Sequence, residues 1–331
     1  MIQRPAILAL SIESLLVCFM LIYAAWYGRR ILEKWDLRSG SELQLELERR
    51  TYLISVILSY TLVFQILSLF LYIFTADYLH SLFTGAMCAA GSLGVNGFGY
   101  PVLILKIVNC LVAGVWLIIN HVDSRGYDYP LIKPKYELLN ILAPLVLLET
   151  VLQFAYFLDL KADVITSCCG SLFSTEKHSI AGEVAGLPHG PMQLAFFGMM
   201  AVTAALGVFF CMKGKGGGLF SLFSSLTFVV SATALVSFIC LYFYELPSHH
   251  CPFCILQKEY GFIGYALYAT LFGGAVSGLG VGSLMPFTSN PSLSKVIPPI
   301  QRRLVLVTLA LYLLFSLIVS WRMLGTPFRL G

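Results

Sequence analysis

Long runs of apolar residues, separated by short polar segments, dominate the chain. A helix that crosses the hydrocarbon core of a bilayer needs about 20 predominantly apolar residues. About eight stretches reach that length, so the pattern predicts an all-α fold, a polytopic bundle of transmembrane helices. The predicted helices lie near residues 6–27, 52–75, 101–120, 139–158, 192–212, 219–243, 254–280 and 304–321.

The composition agrees with a protein whose main solvent is lipid. Of the 331 residues, 58% are hydrophobic and 11% are charged, and the mean hydropathy is +0.83. A soluble domain carries about 25% charged residues. With so few charges, the net charge of +4 does not indicate a nucleic-acid partner. The chain has neither a Walker sequence nor a CxxCH haem-attachment sequence, so we expect no ATP use and no covalent haem.

The basic residues predict the orientation of the helices. Most of the 21 Lys and Arg residues fall in alternate connections, beginning with the segment 28–50. By the positive-inside rule these connections are cytoplasmic, and both termini are predicted outside. The first helix is interpreted as retained because Arg29 and Arg30 follow it, which is not the order of a signal peptide. Segment 28–50 is predicted to be a solvated connector, with a short amphipathic helix as the alternative.

The nine cysteines divide into two groups. Four lie within or at the ends of apolar helices, where cysteine usually serves as a small hydrophobic residue. The other five map to the outer side by the charge argument, which did not use them. If the membrane is a bacterial inner membrane, that side is the oxidising periplasm, where thiols form disulfides, bind metal or perform redox chemistry. The five outer residues are Cys88, Cys168, Cys169, Cys251 and Cys254.

The pair Cys251-Pro-Phe-Cys254 is the sharpest motif, and it is predicted to stand at the outer start of the seventh helix. The positive end of a helix favours a thiolate, and Lys258 one turn later adds to that effect. His249 and His250 precede the pair and are candidates for proton relay or metal binding. The CxxC spacing equally fits a structural disulfide or half of a metal site.

The longest outer loop, about residues 159–191, contains the vicinal Cys168 and Cys169. Neighbouring cysteines bridge only through a strained ring, and strained disulfides are easily reduced. Each residue can instead pair elsewhere, or both can bind metal. Cys88 stands in a Gly-rich outer loop, where it is either a third redox partner or incidental.

A layer of ionisable residues is predicted inside the helices, mostly in the outer half of the bilayer. Charges at that depth are costly and are functional candidates by default. The layer predicts a proton path, a quinone headgroup site or an ion site, and the alternative is pairing between helices, such as Lys106 with Glu149. Its members are Glu13, Lys106, Glu149, Lys258 and Glu259.

In the predicted topology, residues 139–280 form four transmembrane helices. The loop between the first two contains the two vicinal cysteines, and the CxxC motif stands at the start of the fourth. This order resembles the vitamin K epoxide reductase family, and the disulfide-forming quinone reductases of bacteria share its logic. The resemblance implies that Cys251 and Cys254 are the quinone-proximal pair. It also implies that Cys168 and Cys169 are the shuttle pair that meets a thioredoxin-like periplasmic protein.

Three segments and three functions are therefore predicted. The segments are helices 1–3 with the Cys88 loop (1–138), a four-helix redox-like bundle (139–285), and a cytoplasmic loop with the last helix (286–331). The leading hypothesis is a thiol–disulfide oxidoreductase of the bacterial inner membrane that passes electrons to a quinone or a redox subunit. The first alternative is a membrane protein that binds or transports a soft metal, Cu, Zn or Hg, through Cys168, Cys169, Cys251, Cys254, His249 and His250. The second is a structural anchor subunit of an electron-transfer complex.

Overall fold

The protein is described here from a computed structural model, which covers residues 4–36, 39, 41–126, 128–161, 164–166 and 180–330. Within these ranges the fold is all-helical, and eight helices are long and apolar enough to cross a membrane. The predicted fold class is therefore confirmed. The long helices are α1 (Pro5–Lys34), α2 (Glu42–Leu79), α3 (Gly99–Asp123), α4 (Ile132–Leu158), α5 (His189–Lys213), α6 (Gly217–Ala234), α7 (Ile263–Leu284) and α8 (Ile297–Gly325).

Several helix ends differ from the sequence-based boundaries. The expected connector 28–50 is largely helical, because α1 continues to Lys34 and α2 already begins at Glu42. Charged residues with high helix propensity extend both helices beyond their apolar runs. The opposite change occurs at α7, which begins at Ile263 rather than near residue 254.

The chain divides into two compact units. The first comprises Met1–Tyr72, Gly97–Leu160 and Ser283–Gln301, and the second comprises Ile73–Asn96, Lys161–Gly282 and Arg302–Gly331. Each is assembled from separated parts of the chain.

The first unit is built around α1, the greater part of α2, α3 and α4. Its core is a continuous cluster of large apolar side chains from all four helices, including Leu21, Leu58, Trp116 and Leu139, each fully buried. Gly28 on α1 lets the Tyr136 ring of α4 approach, because a Cβ at this position would lie 2.5 Å from that ring. This close fit fixes how α1 packs against α4.

The second unit contains α5, α6, α7 and most of α8. Glycines of the segment GGAVSGLGVG, residues 273–282, lie against side chains of neighbouring helices. A Cβ on Gly274 would overlap the Tyr312 ring of α8, and one on Gly278 would overlap the Ser224 side chain of α6. Small residues therefore allow these helices to approach closely. After α6 the chain forms a π-helical turn, Leu235–Ile239, and a last helical turn, Cys240–Tyr244, that leads to the CxxC motif.

Candidate thiol site

The CxxC motif lies on turns ahead of α7, within the second unit. Cys254–Leu256 and Lys258–Tyr260 are short 3₁₀ turns, and Gly261 then adopts a positive φ of 62° before α7 begins. The expectation that the motif stands on the first turn of the helix is therefore wrong. The field of a helix end falls off within about one turn, so α7 gives no direct activation of Cys251.

Lys258 and Glu259 were expected inside the helix beneath the motif. Both are instead exposed on the second 3₁₀ turn. Polar side chains at these positions favour a turn that reaches water over entry into the bilayer. These two residues therefore do not belong to a buried polar layer.

Two tyrosine hydroxyls hold the CxxC backbone. The Tyr244 hydroxyl donates to the carbonyl oxygen of Cys251 at 2.6 Å, and the Tyr268 hydroxyl donates to that of Pro252 at 2.6 Å. Gly264, at the start of α7, lets the turn pack closely, because a Cβ there would lie 2.8 Å from the Ile255 side chain. The turn is thus fixed by contacts on both sides.

Cys88 is brought to the same place by the Gly-rich loop that follows α2. It stands immediately before the short helix Ala89–Leu93, and its side chain is fully buried. The loop is fixed by a short parallel pairing in which the Thr166 amide donates to the Thr84 carbonyl oxygen at 2.9 Å. Gly85, at φ 89°, is required because a Cβ would overlap the carbonyl oxygen of Thr166.

Asp77 and Gln257 connect the Cys88 loop to the CxxC turn. The Gln257 amide group donates to Asp77 Oδ1 at 3.1 Å and to the Met87 carbonyl oxygen at 2.9 Å. The same Asp77 oxygen accepts a hydrogen bond from the Ala89 amide at 3.2 Å. Bonds to both neighbours of Cys88 therefore position its sulfur. Neither polar residue was among the predicted site residues, although Gln257 lies three positions after Cys254 and Asp77 follows a long apolar run near the end of α2.

Three sulfurs meet at this point. The Sγ atoms of Cys88 and Cys251 are 3.5 Å apart, and those of Cys88, Cys251 and Cys254 all lie within 4.8 Å of one another. The first separation is a non-bonded contact, because a disulfide bond is about 2.05 Å long. Cys88 and Cys251 are fully buried and Cys254 is 6% exposed. We call these three residues the thiol cluster.

The two histidines of the motif have different surroundings. The Nε2 atom of His249 lies 3.4 Å from Cys254 Sγ, and its ring packs edge-on against Tyr244 with centroids 4.7 Å apart. His250 Nδ1 lies 2.9 Å from the Val236 carbonyl oxygen and therefore carries the proton, since a carbonyl only accepts. Burial lowers the pKa of His250 below its usual value. Only His249 therefore faces the sulfurs among these two.

Cys168 and Cys169 lie outside the described residues. Thr166, two positions before Cys168 in the sequence, is the nearest described residue on that side. Its backbone is hydrogen-bonded to the Cys88 loop through Thr84. The roles expected for Cys168 and Cys169 stay predictions.

Part of the predicted polar layer forms a buried, hydrogen-bonded network in the first unit. The Lys106 Nζ atom lies 2.7 Å from Glu149 Oε1, which confirms the expected pairing between helices, and both side chains are buried. The amides of Gln65 and Asn109 donate to Glu149 Oε2 at 2.7 Å and 2.6 Å. The Ser68 hydroxyl accepts a hydrogen bond from Lys106 at 3.0 Å. A buried ion pair with this many hydrogen bonds is stable in a low-dielectric medium.

The first unit contains a second buried ion pair, which was not predicted from the sequence. The Lys135 Nζ atom lies 2.7 Å from Asp123 Oδ2, and both side chains are at most 2% exposed. Lys135 was assigned to a cytoplasmic connection, but α4 begins three residues earlier at Ile132. Lys133 is exposed and Lys135 is buried, because the two lysines lie on opposite faces of one helical turn. The helical spacing of these residues is the sequence feature that could have distinguished them.

Comparison with protein-family models, with curated proteins and with solved structures found no match. The fold and the eight apolar helices define a polytopic helical protein of the integral-membrane class. The thiol cluster is the feature that bears on its chemistry.

Proposed function

We propose that this protein is a membrane thiol–disulfide oxidoreductase whose reaction centre is the thiol cluster. The observation that carries the proposal is the contact among the Sγ atoms of Cys88, Cys251 and Cys254, all within 4.8 Å. Thiol–disulfide exchange requires a thiolate next to a disulfide. Whichever two of these residues are bonded, the third is in position to attack.

The reaction transfers two electrons and two protons in each step. A dithiol on a thioredoxin-like partner reduces the disulfide formed by Cys168 and Cys169, and the partner becomes a disulfide. The two new thiols then reduce a disulfide within the thiol cluster by exchange. The cluster returns its two electrons and two protons to a quinone, which becomes a quinol, or its electrons to a redox subunit. Cys88 serves as the third sulfur that resolves the mixed disulfide.

Two features support this sequence of exchanges. Thr166, near the predicted shuttle pair in the sequence, is hydrogen-bonded to the loop that bears Cys88. His249 Nε2 lies 3.4 Å from Cys254 Sγ, within reach for proton exchange with that thiol. Orientation toward the periplasm of a bacterial inner membrane is part of the proposal and rests on the positive-inside argument.

The test is to trap the thiol state of the cysteines in living cells with acid, alkylate them, and map them by mass spectrometry. We expect disulfides in the thiol cluster that shift when quinone or reductant is supplied. Cys254→Ser is expected to trap a Cys88–Cys251 disulfide, and Cys88→Ser a fixed Cys251–Cys254 disulfide. Cys110→Ser, a buried helix cysteine outside the cluster, is the matched control and leaves the pattern unchanged. The proposal fails if Cys251→Ser leaves oxidation of the thiol partner unchanged.

A soft-metal site is the second candidate, favoured by the same three buried sulfurs together with His249. Thiolate and imidazole ligands suit Zn²⁺ and Cu⁺. The two functions separate in one sample, because a metal protein contains reduced cysteines with stoichiometric metal. Disulfides that respond neither to quinone nor to reductant, without metal, would leave the structural anchor subunit.

A further inference from the structure

Glu13 of α1, in the first unit, has an unusual environment for a carboxyl group. Both of its oxygen atoms are buried, and neither has a hydrogen-bond partner among the described residues. Three other buried side chains of this unit, Gln65, Asn109 and Gln153, likewise each have a carbonyl oxygen without a donor among the described residues. A region this rich in acceptors is short of hydrogen-bond donors. An unsatisfied polar group is costly in an apolar medium.

Exchanging the oxygen and nitrogen positions of these side-chain amides does not supply the missing donors. Both Gln65 and Asn109 must present their NH₂ groups to Glu149 Oε2, which only accepts when ionised. Gln153 presents its NH₂ group to the Ser14 hydroxyl at 3.0 Å and to the Leu10 carbonyl oxygen. Their carbonyl oxygens therefore have to face away from these partners.

With Glu13 ionised, the group formed by Glu13, Lys106 and Glu149 carries one uncompensated negative charge. Lys106 and Glu149 neutralise each other at 2.7 Å, and the Lys106 ammonium is bound to Glu149 and Ser68. An ionised Glu13 adds a negative charge with no hydrogen bond to stabilise it. The charged groups that act on Glu13 are Lys106 of α3 and Glu149 of α4. From α2, Thr61 and Phe64 share its cavity, and neither is charged.

That cavity gives access from the lipid side. It has a volume of about 480 Å³ and is lined by Glu13 and Thr61 together with apolar residues of α1 and α2. Ile12, Leu16 and Phe64, which form its walls, are more than half exposed, as expected of side chains that face lipid. A small apolar molecule in the bilayer can therefore approach Glu13 without crossing the helix bundle.

We propose that Glu13 is a proton-binding site, at which the carboxylate takes up one proton and becomes a neutral acid within the membrane. The proton cancels the one unbalanced negative charge and converts one of the two unpartnered oxygens of Glu13 into an O–H donor. The inference goes beyond the proposed function, since Glu13 lies in the first unit and the thiol cluster in the second. Either one can fail while the other stands.

Dicyclohexylcarbodiimide provides the test, because this apolar reagent partitions into lipid and reacts with protonated carboxyl groups. Intact protein in detergent micelles or lipid vesicles is treated across a pH series, and each modified residue is mapped by mass spectrometry. We expect modification of Glu13 at neutral pH and a decline as pH rises. Above the midpoint, the protonated fraction falls about tenfold per pH unit.

Glu149 is the internal comparison, because it is fully buried, is paired with Lys106 and does not line the cavity, and it should stay unmodified. This comparison uses the wild-type chain and does not depend on a variant that has to fold. A Glu13→Gln variant, the neutral analogue of the protonated acid, should elute and melt as the wild type does. Absence of modification at Glu13, or modification that is independent of pH, would overturn the proposal. So would protection by NaCl beyond that given by equal KCl, because a sodium ion would then occupy the site.

Discussion

The two units bury polar chemistry in different ways. In the first unit, Lys106 and Glu149 form a charge pair, and polar neighbours on α2 and α3 complete its hydrogen bonds. In the second, the buried reactive groups are cysteine sulfurs, and hydrogen bonds hold the backbone around them, as from Tyr244 to Cys251. The difference indicates that the first unit depends on its polar groups for stability. The second uses its polar groups to position sulfur.

Breaking the charge pair should have the largest effect on stability. Lys106→Met leaves Glu149 as a buried charge without its counter-ion, and removal of one partner of such a pair costs about 3–5 kcal/mol. Unfolding in detergent, followed by heat or denaturant, measures the loss. The double variant Lys106→Met/Glu149→Leu should recover most of it, because a well-packed apolar pair often replaces an ion pair at little cost.

Lys133→Met supplies the surface control, since Lys133 is exposed and its loss should change stability by less than about 0.5 kcal/mol. If Lys106→Met proved as stable as Lys133→Met, the contrast between the units would be lost.

In the second unit, the comparable experiment removes the link between loop and turn. Gln257→Leu deletes the hydrogen bonds to Asp77 and to the Met87 carbonyl oxygen, and we expect a loss of about 1–3 kcal/mol. The larger consequence is expected in chemistry: oxidation of Cys88 with Cys251 by a mild oxidant should become several-fold slower. Glu259→Gln, two residues away on an exposed turn, is the matched control. An unchanged rate of disulfide formation in Gln257→Leu would remove the positioning role.

The smallest effect is a dependence of stability on pH from His250. Burial lowers the pKa of this histidine, so between its folded and unfolded pKa values the unfolded chain binds more protons. Stability should therefore fall as pH drops below about 6.5, the unperturbed value, with a slope of at most about 1.4 kcal/mol per pH unit. His250→Asn keeps a donor near the Val236 carbonyl oxygen and removes the titration. Its unfolding midpoint should therefore vary less between pH 7 and pH 5 than that of the wild type, and equal slopes would exclude His250 as the source.

The transmembrane architecture followed from the sequence because hydrophobicity is a local property. Twenty apolar residues in succession predict a span whatever surrounds them, and all eight predicted spans correspond to helices. The pairing of Lys106 with Glu149 could also be predicted from the sequence, because two opposite charges deep in apolar helices have few other ways to be neutralised. The Lys135–Asp123 pair was not, because the apolar run gave too late a start for α4.

The thiol site depended on tertiary structure. The sequence by itself determined that the chain spans a membrane and that it carries a CxxC motif near a helix. Only packing decided that Cys88 contacts Cys251, 163 positions away, and that Gln257 reaches Asp77, 180 positions away. Composition and periodicity describe which face of a helix is apolar, but they contain no information on which distant loop lies beside a given turn. That choice is made by the contacts of folded loops, here the pairing of Thr84 with Thr166 and the tyrosine bonds to the CxxC backbone.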